Sequence, residues 1–302
     1  MTSRHRLFCS PLNWGVIRIL QRLRLIGLVH FTVRARIHGQ LLRIPIARGS
    51  GISSLVDGEP WATRVYAVLL QRFPGTFIDV GVNVGQTLMR VRTLRTDADY
   101  VGFEPNRFCV DYLRRLMRLN PLLEAPIVAA GLSDHDGEAT LRMNQDSLSD
   151  DSASLVEDFR PGHPVHRSMA VRIIRFETAE RAARIGKAGI VKIDVEGSER
   201  EVLRSMADRI NRDRPAVVLE ILPVGRATNT DRLQRQQDVE ALFAGIGYRM
   251  LRLRNMGAES RLERMTGPIG VHDDQRLANF VVVPQEREGE LLPLLEQAMA
   301  QQ

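Results

Sequence analysis

From Thr76 onward, short apolar runs rich in β-branched residues alternate with segments of helical spacing, and this alternation constrains the fold most. Strands are expected at 76–80, 100–104, 126–130, 190–194, 216–221, 247–252 and 279–283. Helices are expected at 85–95, 106–119, 177–184, 199–207, 231–244 and 286–300. The clearest is 106–119, where Phe108, Tyr112, Leu116 and Leu119 form one stripe. Strands separated by helices pack side by side in parallel, with the connecting helices covering both faces. The expected architecture is therefore α/β: a Rossmann-like, mostly parallel seven-stranded sheet with helices on both faces.

The first 58 residues read as an extension to this domain, which spans 59–302. Residues 11–30 have amphipathic spacing, with Trp14, Ile17, Leu20 and Leu25 on one helical face. In "TVRARIHGQLLRIPI", Val33, Ala35 and Ile37 alternate with polar residues, as do Leu42, Ile44 and Ile46 around Arg43. Gly39-Gln40 between them marks a hairpin turn. A helix follows from Pro60, a residue suited to a first helical turn.

Charge is unevenly distributed. The first acidic residue is Asp57, and nine arginines precede it: 4, 6, 18, 22, 24, 34, 36, 43 and 48. Taking these from the 42 basic residues leaves 33 against 36 acidic, a balance of −3 for the rest of the chain. A solvated helix face accounts for such a run; contact with an anionic membrane surface or an acidic partner is the functional alternative. A nucleic-acid substrate is not expected, because basic surface should then surround the catalytic residues. No run of about 18 uncharged apolar residues occurs, so no membrane span is expected. Cys9 and Cys109 form no metal or redox motif and suit a reducing compartment. The expectation is a cytoplasmic protein whose arginine-rich start can touch the inner face of the membrane.

"TFIDVGVNVGQTL" (Thr76–Leu88) is a strand, a bare turn and a helix start. Gly81 and Gly85 remove side chains where the backbone bends, and Asn83 tolerates left-handed geometry. The helix beginning near Gly85 presents free N–H groups to a ligand. The pattern differs from the G-x-G-x-x-G fingerprint, which weakens a nicotinamide-dependent oxidoreductase reading. "YVGFEP" ends in Glu104, 25 residues after Asp79. An acid at the tip of the second strand accepts hydrogen bonds from ribose hydroxyls. Asp79, beside the turn, would repel phosphate but suit a cationic amino-acid end. S-adenosylmethionine combines a ribose with such an arm, and is the expected cofactor. After the third strand, Leu132 or Asp134 could read the adenine edge, although Asp-His-Asp-Gly is also ordinary turn chemistry.

"FIDVGVNVGQT", "VGFEPN", "GLSDHDGEATL", "IVKIDVEGSEREVL" and "PAVVLEI" follow the order and spacing of the FkbM-type methyltransferase family. The resemblance runs from about Pro60 to Val283. It implies a class I methyltransferase fold and transfer of a methyl group from S-adenosylmethionine, commonly to a hydroxyl of a sugar or similar small polyhydroxylated acceptor. Val82 stands where the family usually has alanine, a small enlargement beside the cofactor.

In "IVKIDVEGSERE", Asp194 and Glu196 end a buried strand, and Glu220 ends the next. The carboxyl ends of such strands are where ligands bind. These three carboxylates are the catalytic candidates. One could act as general base or orient an acceptor hydroxyl; together they could instead hold a divalent cation. The metal-free use is favoured, because carboxylates also suit hydrogen bonding to a polyhydroxylated acceptor. Ser198 with Glu201 reads as a capping box for the next helix, and Glu199 as a dipole-matched residue. Residues 144–168 are polar, acidic and broken by Pro161 and Pro164, as in a lid over the acceptor. His163 and His166 within it have metal-pair spacing but no helix to fix them. The rival reading is a non-catalytic nucleoside sensor docked to a membrane or polyanion through the basic N-terminus.

Overall fold

The structure, a computed structural model, describes residues 7–157, 159–160, 162–256 and 259–300. Its elements run α1 (Pro11–Arg22), β1 (His30–Ile37), β2 (Gln40–Ala47), α2 (Pro60–Arg72), β3 (Thr76–Val80), α3 (Gln86–Leu94), β4 (Tyr100–Phe103), α4 (Arg107–Leu119), β5 (Ile127–Val128), β6 (Gly131–Leu132), β7 (Gly137–Met143) and β8 (Arg167–Ile174). They continue with α5 (Phe176–Ala183), β9 (Ala188–Ile193), α6 (Glu199–Asp213), β10 (Ala216–Glu220), α7 (Thr230–Gly245), β11 (Tyr248–Arg254), β12 (Arg261–Arg264), β13 (Asn279–Pro284) and α8 (Glu288–Ala300).

The central sheet has the order β12-β11-β13-β10-β9-β3-β4-β5. The stretch from β10 to β5 is parallel. β13 runs antiparallel to both of its neighbours, and β12 is antiparallel to β11. All seven expected strands are present, and β12 adds an eighth at the edge. From β3 the chain winds outward through β4 and β5, then returns to β9 on the other flank. The strand order therefore reverses between β3 and β9, and connections leaving in opposite directions open a crevice at the carboxyl ends there.

Period-two alternation builds two cores from one sheet. Phe77, Ile190, Val218 and Val281 face one way and pack with α2, α3 and α8. Ile78, Val191, Val217 and Val282 face the other way and pack with α5, α6 and α7. Both faces are covered, which explains why these strands read as continuous apolar runs rather than as half-buried ones.

Three regions depart from the sequence reading. The 11–30 helix stops at Arg22: Arg24 takes a left-handed conformation (φ 58°), and a 3-10 turn at Ile26–Leu28 leads into β1. The hairpin turn is His38-Gly39 rather than Gly39-Gln40, since Ile37 pairs with Gln40 and both turn residues have positive φ. The chain after β5 does not continue in the main sheet. Gly131–Leu132 pairs with β8, which also pairs with β7, in a separate three-stranded sheet. Exposed alternation such as Glu138-Ala139-Thr140 carries little apolar signal, and β7 and β8 escape notice for that reason. No helix among the described residues is long and apolar enough to cross a membrane.

Candidate active site

A cavity of about 420 Å³ lies at the carboxyl ends of β3, β4, β9 and β10. Gly81, Asn83, Glu104, Leu132, Asp194, Glu196 and Glu220 all line it. Asp79, Gly85 and Asp134 are not on its wall. Gly85 is left-handed (φ 83°) at the start of α3, and a Cβ there would stand 2.8 Å from Leu113. Asp134 is turned to solvent, where it bonds His135 Nδ1 at 2.9 Å, which lowers its pKa.

Gly81 has a different reason for being glycine than ligand approach. Its φ is 87°, and a Cβ would sit 2.0 Å from the Asp194 carbonyl oxygen. The bare position lets the β3 and β9 ends cross closely. Asn83, also left-handed (φ 48°), donates its backbone N–H to Glu104 Oε2 at 2.7 Å, and Asn106 donates its own to Oε1 at 2.8 Å. These bonds fix the Glu104 carboxylate on the cavity wall, with lone pairs left for a ligand's hydroxyls. Burial raises its pKa to about 7 against both hydrogen bonds. Val82, Leu132, Leu141 and Leu155 make apolar wall nearby, and Gln86 and Thr87 bring the first turn of α3 to the same space.

Asp79 is fully buried behind this wall. It accepts from the Tyr100 hydroxyl and faces Lys192 Nζ at 3.2 Å. Lys192 also lies 3.4 Å from Asp194 and donates to the Gly81 carbonyl at 2.6 Å. Burial works against the lysine's charge, but Asp79 and Asp194 outweigh it and raise its pKa. Asp79 is thus satisfied inside the protein. The expectation that it offers charge to a cationic ligand gives way to a structural role, and Asp194 is the carboxylate that faces the cavity.

Asp194, Glu196 and Glu220 converge, each offering an oxygen within 4.8 Å of the others. Their states differ. Glu196, left-handed at φ 53°, is paired with Arg160 Nη2 at 2.6 Å. Burial, then the charges of Asp194 and Glu196, pushes the Glu220 pKa well up, and its side chain hydrogen-bonds Asp194. Asp194 is the carboxylate with an accessible edge, its side chain 42% exposed. The geometry would admit a small cation, and Arg160 and Lys192 already stand as cations against Glu196 and Asp194.

The methyltransferase FkbM domain matches residues 79–250, more than half of the chain. The chain belongs to the FkbM methyltransferase family. No curated protein matches it. Among solved structures it is similar to a methyltransferase FkbM from Methylobacillus flagellatus (14% identity, TM-score 0.40), covering 69% of this chain and 43% of that one. It is also similar to precorrin-6y C5,15-methyltransferase from Geobacter metallireducens (12% identity, TM-score 0.35, 74% and 86% covered) and to M. jannaschii TYW2 in complex with AdoMet (11% identity, TM-score 0.37, 84% of each). The chain spans less than half the length of the first.

Several wall residues are not evident from motifs: Glu59, Trp61, Arg90, Cys109, Asp150 and Asn279. Most come from elements whose role is set only by tertiary packing. Lys192 had a visible signal, a cation inside the apolar run of "IVKID", where lysine is otherwise excluded from a buried parallel strand. The acidic segment 144–160 is folded down on the site. Asp150 is buried and accepts from the backbone of Asn144, Gln145 and Ser152. Ser154 donates to the Glu196 carbonyl at 2.6 Å, and the Phe159 ring fills the space beside Gly197, 2.5 Å from where its Cβ would be. His163 and His166 are exposed.

The expected capping box is not formed. Ser198 makes no side-chain cap bond; Glu199 accepts from the Gly197 N–H at 2.7 Å, while Arg235 and Arg200 draw Glu201 away. Burial raises Glu199 to about 7 from 4.5. A proton is thus held more tightly in the folded chain. The stability this lends is complete below pH 4.5 and is lost as pH rises through 7, a difference on the order of 3 kcal/mol. Urea unfolding of Glu199→Gln at pH 5 and pH 8 should therefore show a smaller loss than wild type by about that amount. Equal losses would mean that Glu199 ionises normally in the folded state.

Proposed function

We propose that this FkbM methyltransferase is an S-adenosylmethionine-dependent O-methyltransferase acting on a hydroxyl of a sugar, glycan or similar polyhydroxylated acceptor. One observation carries the reading: a single cavity joins the Glu104 carboxylate to the Asp194 carboxylate. Its volume and its mix of apolar wall and few polar groups suit a nucleoside ligand. Glu104 would hold the ribose hydroxyls, Val82 and Leu132 would flank the base, and the first turn of α3 would meet the amino-acid carboxylate. When bound, the cofactor supplies a methyl group on a positively charged sulfur.

The chain's own task is then alignment and proton removal. Asp194 accepts a hydrogen bond from the acceptor hydroxyl and takes its proton as the new carbon–oxygen bond forms. Lys192 and the hydrogen bond with Glu220 hold Asp194 in place. Arg160 keeps Glu196 occupied, so a second negative charge does not compete for the acceptor. The 150–160 segment excludes water. Glu59 and Asn279 at the wall offer partners for the acceptor's further hydroxyls.

Glu104→Ala should weaken S-adenosylmethionine binding by about 1.5–3 kcal/mol, the worth of a hydrogen bond to a charged acceptor. Titration calorimetry on the folded variant measures this, and unchanged affinity would remove Glu104 from the site. Purified wild type given cofactor and a panel of extracted glycans should transfer methyl to oxygen. Tight cofactor binding with no transfer across the panel would favour the sensor reading instead.

A further inference from the structure

The outer face of α1 is apolar and uncovered. Leu12 (78% exposed), Val16, Ile19 (59%) and Leu23 (60%) stand in the open, while Ile17 on the opposite face is buried. At 100° per residue the four exposed positions fall within a sector of about 60°. Leu25 and Leu28 extend the exposed apolar surface beyond the helix end. A soluble helix normally places such a stripe against its own core. Here the core-facing stripe and the solvent-facing stripe are both apolar.

The charge in the first 56 residues has one sign. Arg18, Arg22, Arg24, Arg34, Arg36, Arg43 and Arg48 are all exposed, and no acidic residue precedes Asp57. Arg4 and Arg6 lie outside the described residues. Arg34 and Arg43 are direct cross-strand partners in the β1–β2 hairpin. Like charges placed opposite each other destabilise a hairpin unless an anion stands between them. Arg36 opposite Leu41 (57% exposed) repeats the pairing of cation with exposed apolar residue.

We propose that α1 and the β1–β2 hairpin form a docking surface for an anionic lipid bilayer. The Leu12–Leu23 stripe enters the boundary between headgroups and acyl chains, and the arginines meet acidic headgroups. A nucleic-acid backbone would use the arginines but leave the apolar stripe in water. A second copy of this chain would bring the same positive charge against itself. Of these three, the bilayer alone uses both features. The proposal does not depend on the methyl-transfer reading.

Co-sedimentation of the full chain with vesicles tests it, using phosphatidylcholine alone and phosphatidylcholine mixed with phosphatidylglycerol. Binding is expected to the mixed vesicles, weakening as salt is raised. Ile19→Ser with Leu23→Ser should lower partition about a hundredfold. Arg34→Gln with Arg43→Gln should lower it roughly tenfold to thirtyfold. All four residues are exposed, so thermal melts should match wild type. Failure of wild type to bind mixed vesicles overturns the proposal, as does equal binding by the variants. A dimer that Ile19→Ser with Leu23→Ser dissolves, without vesicle binding, assigns the face to a second copy. Retention on duplex DNA but not on vesicles assigns it to nucleic acid.

Discussion

Asp194→Asn is expected to lower single-turnover methyl transfer by roughly 10²–10⁴, the range for a lost general base, while cofactor affinity stays nearly unchanged. Asparagine keeps the shape, its Oδ1 can accept from Lys192 and its Nδ2 can donate to a Glu220 oxygen, so the variant should melt close to wild type. Glu196→Gln is the informative companion. Glu196 is already matched by Arg160, so its loss should cost far less turnover than that of Asp194. A chelator should leave wild-type turnover unchanged if the carboxylates work without metal. If it abolishes turnover, and added Mg²⁺ or Mn²⁺ restores it, the three carboxylates hold a cation. Equal single-turnover rates for Asp194→Asn and wild type would end the catalytic assignment.

The second large effect concerns stability. Lys192→Met leaves Asp79 buried without its cation and frees the Gly81 carbonyl. Breaking one side of a buried pair costs about 3–5 kcal/mol, because the remaining charge cannot be hydrated. Lys192→Met with Asp79→Asn should recover part of that loss, since the pair is then neutral and Tyr100 still has an acceptor. Denaturant unfolding of the two variants measures the difference. A Lys192→Met protein as stable as wild type would show that Asp79 carries no charge when folded.

The parts of the sequence that were legible share a physical cause. Continuous apolar runs such as Thr76–Val80 and Ala216–Glu220 are long enough to be strands and are buried on both faces, so tertiary context agrees with local pattern. Glycine with an asparagine in left-handed geometry marked the turn, and the acids ending β4, β9 and β10 marked the cavity. What local pattern could not show was which groups satisfy one another. Asp79 and Glu104 both end strands in the sequence, yet one meets Lys192 and the other meets two backbone N–H groups and the cavity. Similarly, the spacing of Trp14, Ile17 and Leu20 marked the inner face of α1, but Leu25, placed on the same face, lies past the end of the helix and is exposed. Residues 144–168 read as a lid with no regular elements, because the order in that stretch comes from Asp150 and Ser154, polar residues whose partners are distant or backbone.

The contact between Arg160 and Glu196 makes the covering segment a counter-ion as well as a cover. Without the Arg160 guanidinium, Glu196 would stand bare beside Asp194, and the three-carboxylate cluster would be more negative by one unit. On the reading proposed above, that added charge would hold a cationic cofactor more strongly, while the paired state leaves Asp194 as the carboxylate open to a neutral acceptor. One arginine would then set the electrostatic potential that both ligands meet. On that reading, removing Arg160 should steepen the ionic-strength dependence of cofactor association, which stopped-flow binding at several salt concentrations would read directly.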